Sequence, residues 1–380
     1  MRRALTAVAA LACVIASGCG GGSSGPTTPP PPKCADVTRP ATPLLIRLRR
    51  PPRAAAATCI GRTYTNVVAP DWPGLPADVQ DGDQGVHVFQ ERVLQYGFVP
   101  CRDCPRPGLN LAEVRRDHPE WILKDASGAD VHPPGHPDWA MFDISNPDYL
   151  AAWATAVETQ LGDGGWTGVE LVDANNLPAW TNSPIDPNTG QDMTVSDHAR
   201  YLAEAMAEVR GGLKSNNFAV IALNQPYTIV DPHQIASSDA VSVQRGFARL
   251  QGSAWTSLYT YFEAALDARV GAWIWDGGEL DHRQRVFGLA SYLMVSGLWS
   301  GYSVAPGPER ALYQLNPGVP AAAPVRQGDA LVREFDSGAV AVNPGPAPAT
   351  VQLPGQSAPL VLPPAGAVIE VAGRLTTSFS

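Results

Sequence analysis

Six apolar runs in this sequence close on a carboxylate or an amide: Asp71, Asp143, Asp173, Asn224, Gln244 and Asp276. The sharpest is "GVELVDANN" (168–176), where Val169, Glu170, Leu171 and Val172 run straight into Asp173, with Asn175 close behind. Two carboxyl groups held close together in a low-dielectric pocket acquire different proton affinities, so one donates a proton while the other stays ionised. That is the requirement for acid-assisted cleavage of a glycosidic bond. Asp173 and Glu170 are the expected catalytic pair, with Asp143, Asp276 and Glu279 as alternative partners for Asp173. Along a strand Glu170 points opposite to Val169 and Leu171, and the cost of a buried unpaired carboxylate favours a place facing a polar interior. Taken singly, each Asp or Asn is equally well explained as a helix cap or turn residue.

Aromatic residues accompany these positions: Asp71-Trp72, Asp138-Trp139 and Trp275-Asp276 are adjacent pairs, and Trp121, Trp180 and Tyr227 lie near others. Flat apolar faces beside hydrogen-bonding groups suit sugar rings. Asp71, Trp72, Asp143, Asn175, Asn224, Gln244, Trp275 and Asp276 are therefore the expected substrate-binding set. Other chemistries are poorly served. There is no G-x-S-x-G elbow within 60–305, and His132 and His136 in "DVHPPGHPDW" have helical metal-ligand spacing but prolines that forbid the helix. "DGDQG" (81–85) lacks the later ligands of a calcium loop, so no metal is expected.

Strand-end chemistry needs parallel strands with helices between them. Eight apolar runs occur from "TYTNVVAP" through "RVLQYGFVP", "WAMFDI", "GVELVD", "FAVIALN", "AVSVQ" and "VGAWIWD" to "GLWSGY". Helical periodicity separates several of them, in "NPDYLAAWATAVETQL", "SDHARYLAEAMAEVRGGL", "SAWTSLYTYFEAAL" and "HRQRVFGLASYLMV". Asn146-Pro147 and Ser196-Asp197 mark helix starts and Gly211-Gly212 a stop. This predicts an α/β chain, a (β/α)8 TIM barrel over 60–305, with its chemistry at the strands' C-terminal ends. An open doubly wound sheet would need a glycine-rich phosphate loop, and "NVVAPDWPGLP" is not one. From 322 to 374 short alternating segments broken by Gly and Pro predict a small C-terminal antiparallel β-sandwich.

The chain opens on two arginines, an apolar run too short to span a bilayer, and small residues before Cys19. Residues 1–19 read as an export signal of lipoprotein type with lipidation at Cys19, or as an ordinary signal peptide. The Gly/Ser/Pro-rich stretch 20–40 then reads as a tether. An exported protein at the cell envelope, touching the membrane only through its lipid, is the expectation. Of six cysteines, Cys34, Cys59, Cys101 and Cys104 remain after the signal, an even number that favours disulfides, although "CRDC" also suits zinc or redox chemistry. A net charge of -9, with "RLRRPPR" (47–53) as the one basic run and read as a solvated loop, speaks against nucleic acid.

In order along the chain, "HPEWILKDASGAD", "WAMFDISNPDYLAAW", "GVELVDANN", "RVFGLASYLMV" and "VREFDSGAVAVNP" resemble the succession of motifs in the bacterial proteins grouped as hypothetical glycosyl hydrolase family 15. The resemblance spans about 64–373. It implies a (β/α)8 barrel with a C-terminal β-domain that hydrolyses a polysaccharide without metal or organic cofactor. The family's Asp and Asn-Pro element falls on Asp143, Asn146 and Pro147, and its strand-end acid falls near Asp173. The sequence departs from the pattern at Thr167 and at Val172, which a gapless reading places where the acid belongs, and at Gln244, where a glutamate is expected. Those departures leave a second reading open: a carbohydrate-binding surface lipoprotein on a barrel that has lost its acids.

Overall fold

The computed structural model describes residues 42–98, 109–174, 180–215, 218–223, 232–304 and 310–379. Eight parallel strands follow one another in sequence order: β1 (Leu45–Arg47), β2 (Asn66–Ala69), β3 (His87–Arg92), β4 (Gly168–Leu171), β5 (Ala219–Leu223), β6 (Ala240–Val243), β7 (Gly271–Asp276) and β8 (Gly301–Val304). A parallel bridge between Leu44 and Tyr302, and the Tyr302 N–H donating to the Pro43 carbonyl at 2.9 Å, join the last strand to the first. The expected (β/α)8 barrel is therefore present. Strands buried on both faces must be apolar throughout, and every residue of β2, β4 and β6 is buried. Gly168 has a specific reason to be glycine: a Cβ there would lie 2.0 Å from the Ala219 carbonyl oxygen.

The strand count agrees with the eight apolar runs, but the membership differs. β1 ends on Arg47, the first residue of the basic stretch read as a loop, and lies ahead of the expected start at 60. β3 is "HVFQER", just before the run "RVLQYGFVP". "WAMFDI" contributes only Ala140–Met141, paired antiparallel with Tyr96–Gly97 outside the barrel sheet. Charged residues obscure β1 and β3: Arg47 and Glu91 face the barrel interior, and Arg92 turns outward to Gln90 and to Gln160. Between the strands lie α1 (Ala54–Thr63), α2 (Leu75–Gln80), α3 (Leu111–Asp117), α4 (Pro147–Gly164), α5 (Val195–Ser215), α6 (Pro232–Ala236), α7 (Gly252–Asp267) and α8 (His282–Val295). Asn146 caps α4 by accepting from the N–H groups of Asp148 and Tyr149, as Asn-Pro predicts. α5 continues through Gly211-Gly212 to Ser215, with Leu213 fully buried, so packing overrides the glycine stop signal.

Beyond the barrel, β9 (Val325–Gln327), β10 (Ala330–Phe335), β11 (Gly338–Asn343), β14 (Gly366–Val371) and β15 (Arg374–Thr377) form a five-stranded antiparallel sheet, and β12 (Ala349–Val351) pairs with β13 (Leu360–Leu362). Alternation splits its two faces. Leu331, Phe335, Val340, Val342 and Ile369 join the barrel's core, whereas Val332, Ala339, Ala341 and Val368 pack with Val351 and Leu362 in a core of their own. α8 lies between barrel and sheet, so all residues from Arg285 to Val295 are buried and its apolar surface runs all round. Arg333 from β10 donates to the carbonyls of Leu293, Met294 and Ser296, satisfying the exposed end of α8.

Candidate active site

Inside a barrel, side chains two apart on a strand stack in layers. Leu45, Val68, Phe89, Ala219, Ile221, Ala240 and Trp273 form one apolar layer, with Phe89 edge-on to Trp273 at 4.8 Å. Two residues further along their strands stand Arg47, Glu91, Ser242 and Trp275. Glu170, in register with Glu91 on β3 and Ile221 on β5, joins them. This polar layer lies at the C-terminal ends of the strands, where barrel chemistry sits.

Arg47 organises the layer. Its guanidinium pairs with Glu170, and its Nε lies 3.2 Å from Glu91 Oε1. Arg49, mostly exposed, reaches the same Glu91 oxygen at 3.5 Å. The Arg47 guanidinium carbon sits 4.9 Å from the centre of the Trp275 ring, and the Trp275 indole donates to Ser242 Oγ at 2.7 Å. The two carboxylates differ in setting: the Glu170 side chain is 0% exposed and that of Glu91 12%. Burial pushes the Glu170 proton affinity up, Arg47 opposes this, and neighbouring Glu91 adds to it. Oε1 of Glu170 has no hydrogen-bond partner among the described residues.

The other expected residues have different duties. Asp173 lies just past β4, and its carboxylate accepts from the backbone N–H groups of Leu94 at 2.9 Å and Gln95 at 2.6 Å. It holds the loop after β3 to the loop after β4, and burial raises its pKa to about 6. Val172 and Asp173 form a turn just past the strand, and it aims the acid at a neighbouring backbone. Asp276 points away from Trp275, as strand alternation requires. It accepts from the Ala248 N–H at 3.0 Å and the Tyr302 hydroxyl at 2.9 Å, with its pKa raised by burial to about 6. The Trp275-Asp276 pair therefore does not share a face. Asp143 accepts from the N–H and hydroxyl of Ser145 in the turn leading into α4. Gln244 is exposed past the end of β6, and Glu279 is exposed in the loop before α8. Asp71 is half-buried near Arg92, a buried guanidinium whose pKa desolvation lowers to about 10 against the pull of Asp71. Trp72 packs half-buried on the core.

Asn175, Asn224, Cys19, Cys34, Cys101 and Cys104 lie outside the described residues, and Cys59 is on α1. Among the described residues no three His, Cys, Asp or Glu side chains are grouped to hold a metal ion.

Arg47 and Glu91 are site residues that the sequence reading missed. The available signal was parity: each is a charge two residues after an apolar residue of a short run, Leu45 and Phe89. A second overlooked feature is an aromatic group on the β3–α4 excursion, where Trp139 meets Phe98 at 5.4 Å, Tyr96 at 6.4 Å and His136 at 4.2 Å. Tyr96 directly follows Gln95, so Asp173 positions this group too.

No family model and no curated protein matches the sequence. Solved structures do. An α-amylase from Geobacillus thermoleovorans, complexed with acarbose, is 10% identical over 89% of this chain and 97% of its own, with a TM-score of 0.51. A GH36 α-galactosidase from Geobacillus stearothermophilus, complexed with 1-deoxygalactonojirimycin, is 12% identical over 83% of this chain, with a TM-score of 0.51. The chain spans 50% of that galactosidase. Both neighbours are glycoside hydrolases, and at these identities the likeness establishes a shared fold: a TIM barrel with a C-terminal β-domain.

Proposed function

We propose that this protein hydrolyses O-glycosidic bonds of an extracellular or capsular polysaccharide, with Glu170 as proton donor and Glu91 as its ionised partner. The observation that carries this reading is the in-register pair on β3 and β4, held apart by Arg47. Burial and the neighbouring Glu91 raise the proton affinity of Glu170 against the pull of Arg47, which suits it to give a proton to a leaving oxygen. Glu91, faced by Arg47 and Arg49, is suited to attack the anomeric carbon, after which Glu170 activates water to release the sugar. Trp275 and the Tyr96–Phe98–Trp139 group offer ring faces, and Asp173 keeps its loop in place. The glycoside hydrolases that share the fold support this reading, as does the resemblance of the motif order to hypothetical glycosyl hydrolase family 15.

Export and an anchor at Cys19 belong to the same proposal. A disulfide at Cys59, which an oxidising compartment would permit, is part of it too. Reducing-end release by the pure protein from a panel of extracellular polysaccharides is the test. Glu170→Gln, which keeps the shape, is expected to lower release about a thousandfold. A folded wild-type protein that is retarded by a polysaccharide in affinity electrophoresis but never cleaves it would assign the barrel to carbohydrate binding instead.

A further inference from the structure

Opposite the candidate site, the N-terminal face of the barrel carries an apolar edge that no strand or helix covers. In the turn between α8 and β8, Leu298 is 79% exposed and Trp299 44%, and in the segment leading to the β-domain Val319 is 69% exposed. Leu298 and Val319 line one groove of about 480 Å³, and Thr42 and Pro43, where the described chain begins, line it too. Isolated exposed apolar residues are ordinary, whereas a group of large ones on one rim marks a contact surface.

In this turn Leu298 stands free, while one side of the Trp299 ring packs on His87 at 4.9 Å and the other is left exposed. Trp299 has a φ of 61°, the left-handed region that a bulky residue rarely adopts. Its carbonyl accepts from the Trp273 indole at 2.6 Å, and the Ser300 hydroxyl accepts from the N–H groups of Gly297 at 2.9 Å and Ala272 at 3.1 Å. Backbone strain sustained by three hydrogen bonds at an exposed aromatic points to a use for that aromatic.

We infer that this rim rests on the lipid bilayer, with Leu298, Trp299 and Val319 entering the headgroup boundary and the candidate site facing away from the membrane. The inference rests on the proposed anchor at Cys19. About 22 residues separate Cys19 from Thr42, and a chain of that length reaches at most about 75 Å. The anchor therefore holds the face that contains Thr42 within reach of the bilayer. Tryptophan and aliphatic side chains are the residues that settle at a membrane interface. No helix among the described residues is long and apolar enough to cross a membrane, so the contact is peripheral.

The test uses the full lipidated chain on phosphatidylcholine vesicles whose acyl chains carry bromine near the headgroup. With ten tryptophans in the chain, wild-type emission should fall by about a tenth relative to unbrominated vesicles. Trp299→Phe should abolish the quenching. Leu298→Ser with Val319→Ser should at least halve it while the protein still floats with the vesicles. Flotation without quenching, or quenching that survives Trp299→Phe, overturns the docking face and leaves the anchor standing. A Cys19→Ala chain that floats as well as the wild type, with its quenching unchanged, overturns the anchor and with it the docking face, leaving the hydrolase reading to its own assay. A dimer in sedimentation velocity that the double variant abolishes, again without quenching, would give the face to a second copy of the chain.

Discussion

Asp173 and Glu170 stand three positions apart and end in unlike places. Alternation made Glu170 legible as an interior acid, because its neighbours Val169 and Leu171 are apolar and a strand turns every second residue the same way. Asp173 lay beyond the strand, where the period no longer holds, and nothing in its own neighbourhood of sequence announces the N–H groups of Leu94 and Gln95. Asp173→Asn would turn one carboxylate oxygen into a donor facing two donors, so a loss of about 1–3 kcal/mol is expected in urea unfolding at pH 7. The pH dependence has a definite sign. With the folded pKa raised to about 6, above an ordinary value of about 4, the protonated acid favours the fold. Its contribution is fully present below pH 4 and lost as pH rises through 6. The gap between wild type and Asp173→Asn should therefore be wider at pH 4 than at pH 7, by roughly 2–3 kcal/mol. An equal gap at both pH values would contradict this account.

The elements were legible where an apolar period ran long enough to show. α4, α7 and α8 fall where their periodicity puts them, and the strand-like runs at β2, β4, β5, β6 and β7 are strands. β1 and β3 were not legible, because a three-residue strand carrying Arg47 and a six-residue strand carrying Glu91 and Arg92 read as charged surface. Arg47 and Glu91 are residues the candidate site uses, so function itself removed part of the signal, and the buried bond from Arg92 to Gln160 on α4 removed the rest. The same competition explains α5, where buried contacts carry the helix through two glycines. A Cβ on exposed Gly211 would meet nothing within 4 Å. Gly211→Ala should raise stability by about 0.5–1 kcal/mol in urea denaturation, and no gain would mean that the helix ends earlier than described.

At the scale of the whole molecule, the C-terminal β-domain was foreseen as a small unit on the barrel's flank. Sequence could not reveal that α8 is buried between the two, since an all-round apolar helix has no preferred face to announce. One shared core implies one unfolding event. Arg333→Met, which leaves three carbonyls at the end of α8 without their donor, should cost about 2 kcal/mol and keep a single calorimetric transition. Two transitions in the wild type would separate the domains energetically. Everything claimed for the molecule turns on the acids that β3 and β4 bring into register. The most direct measurement is azide rescue of Glu91→Ala on a cleaved substrate. The account predicts that the variant loses cleavage and that azide restores turnover, with a glycosyl azide as product. Unchanged cleavage by the folded variant, or a glycosyl azide formed only when Asp173 is replaced, would contradict it.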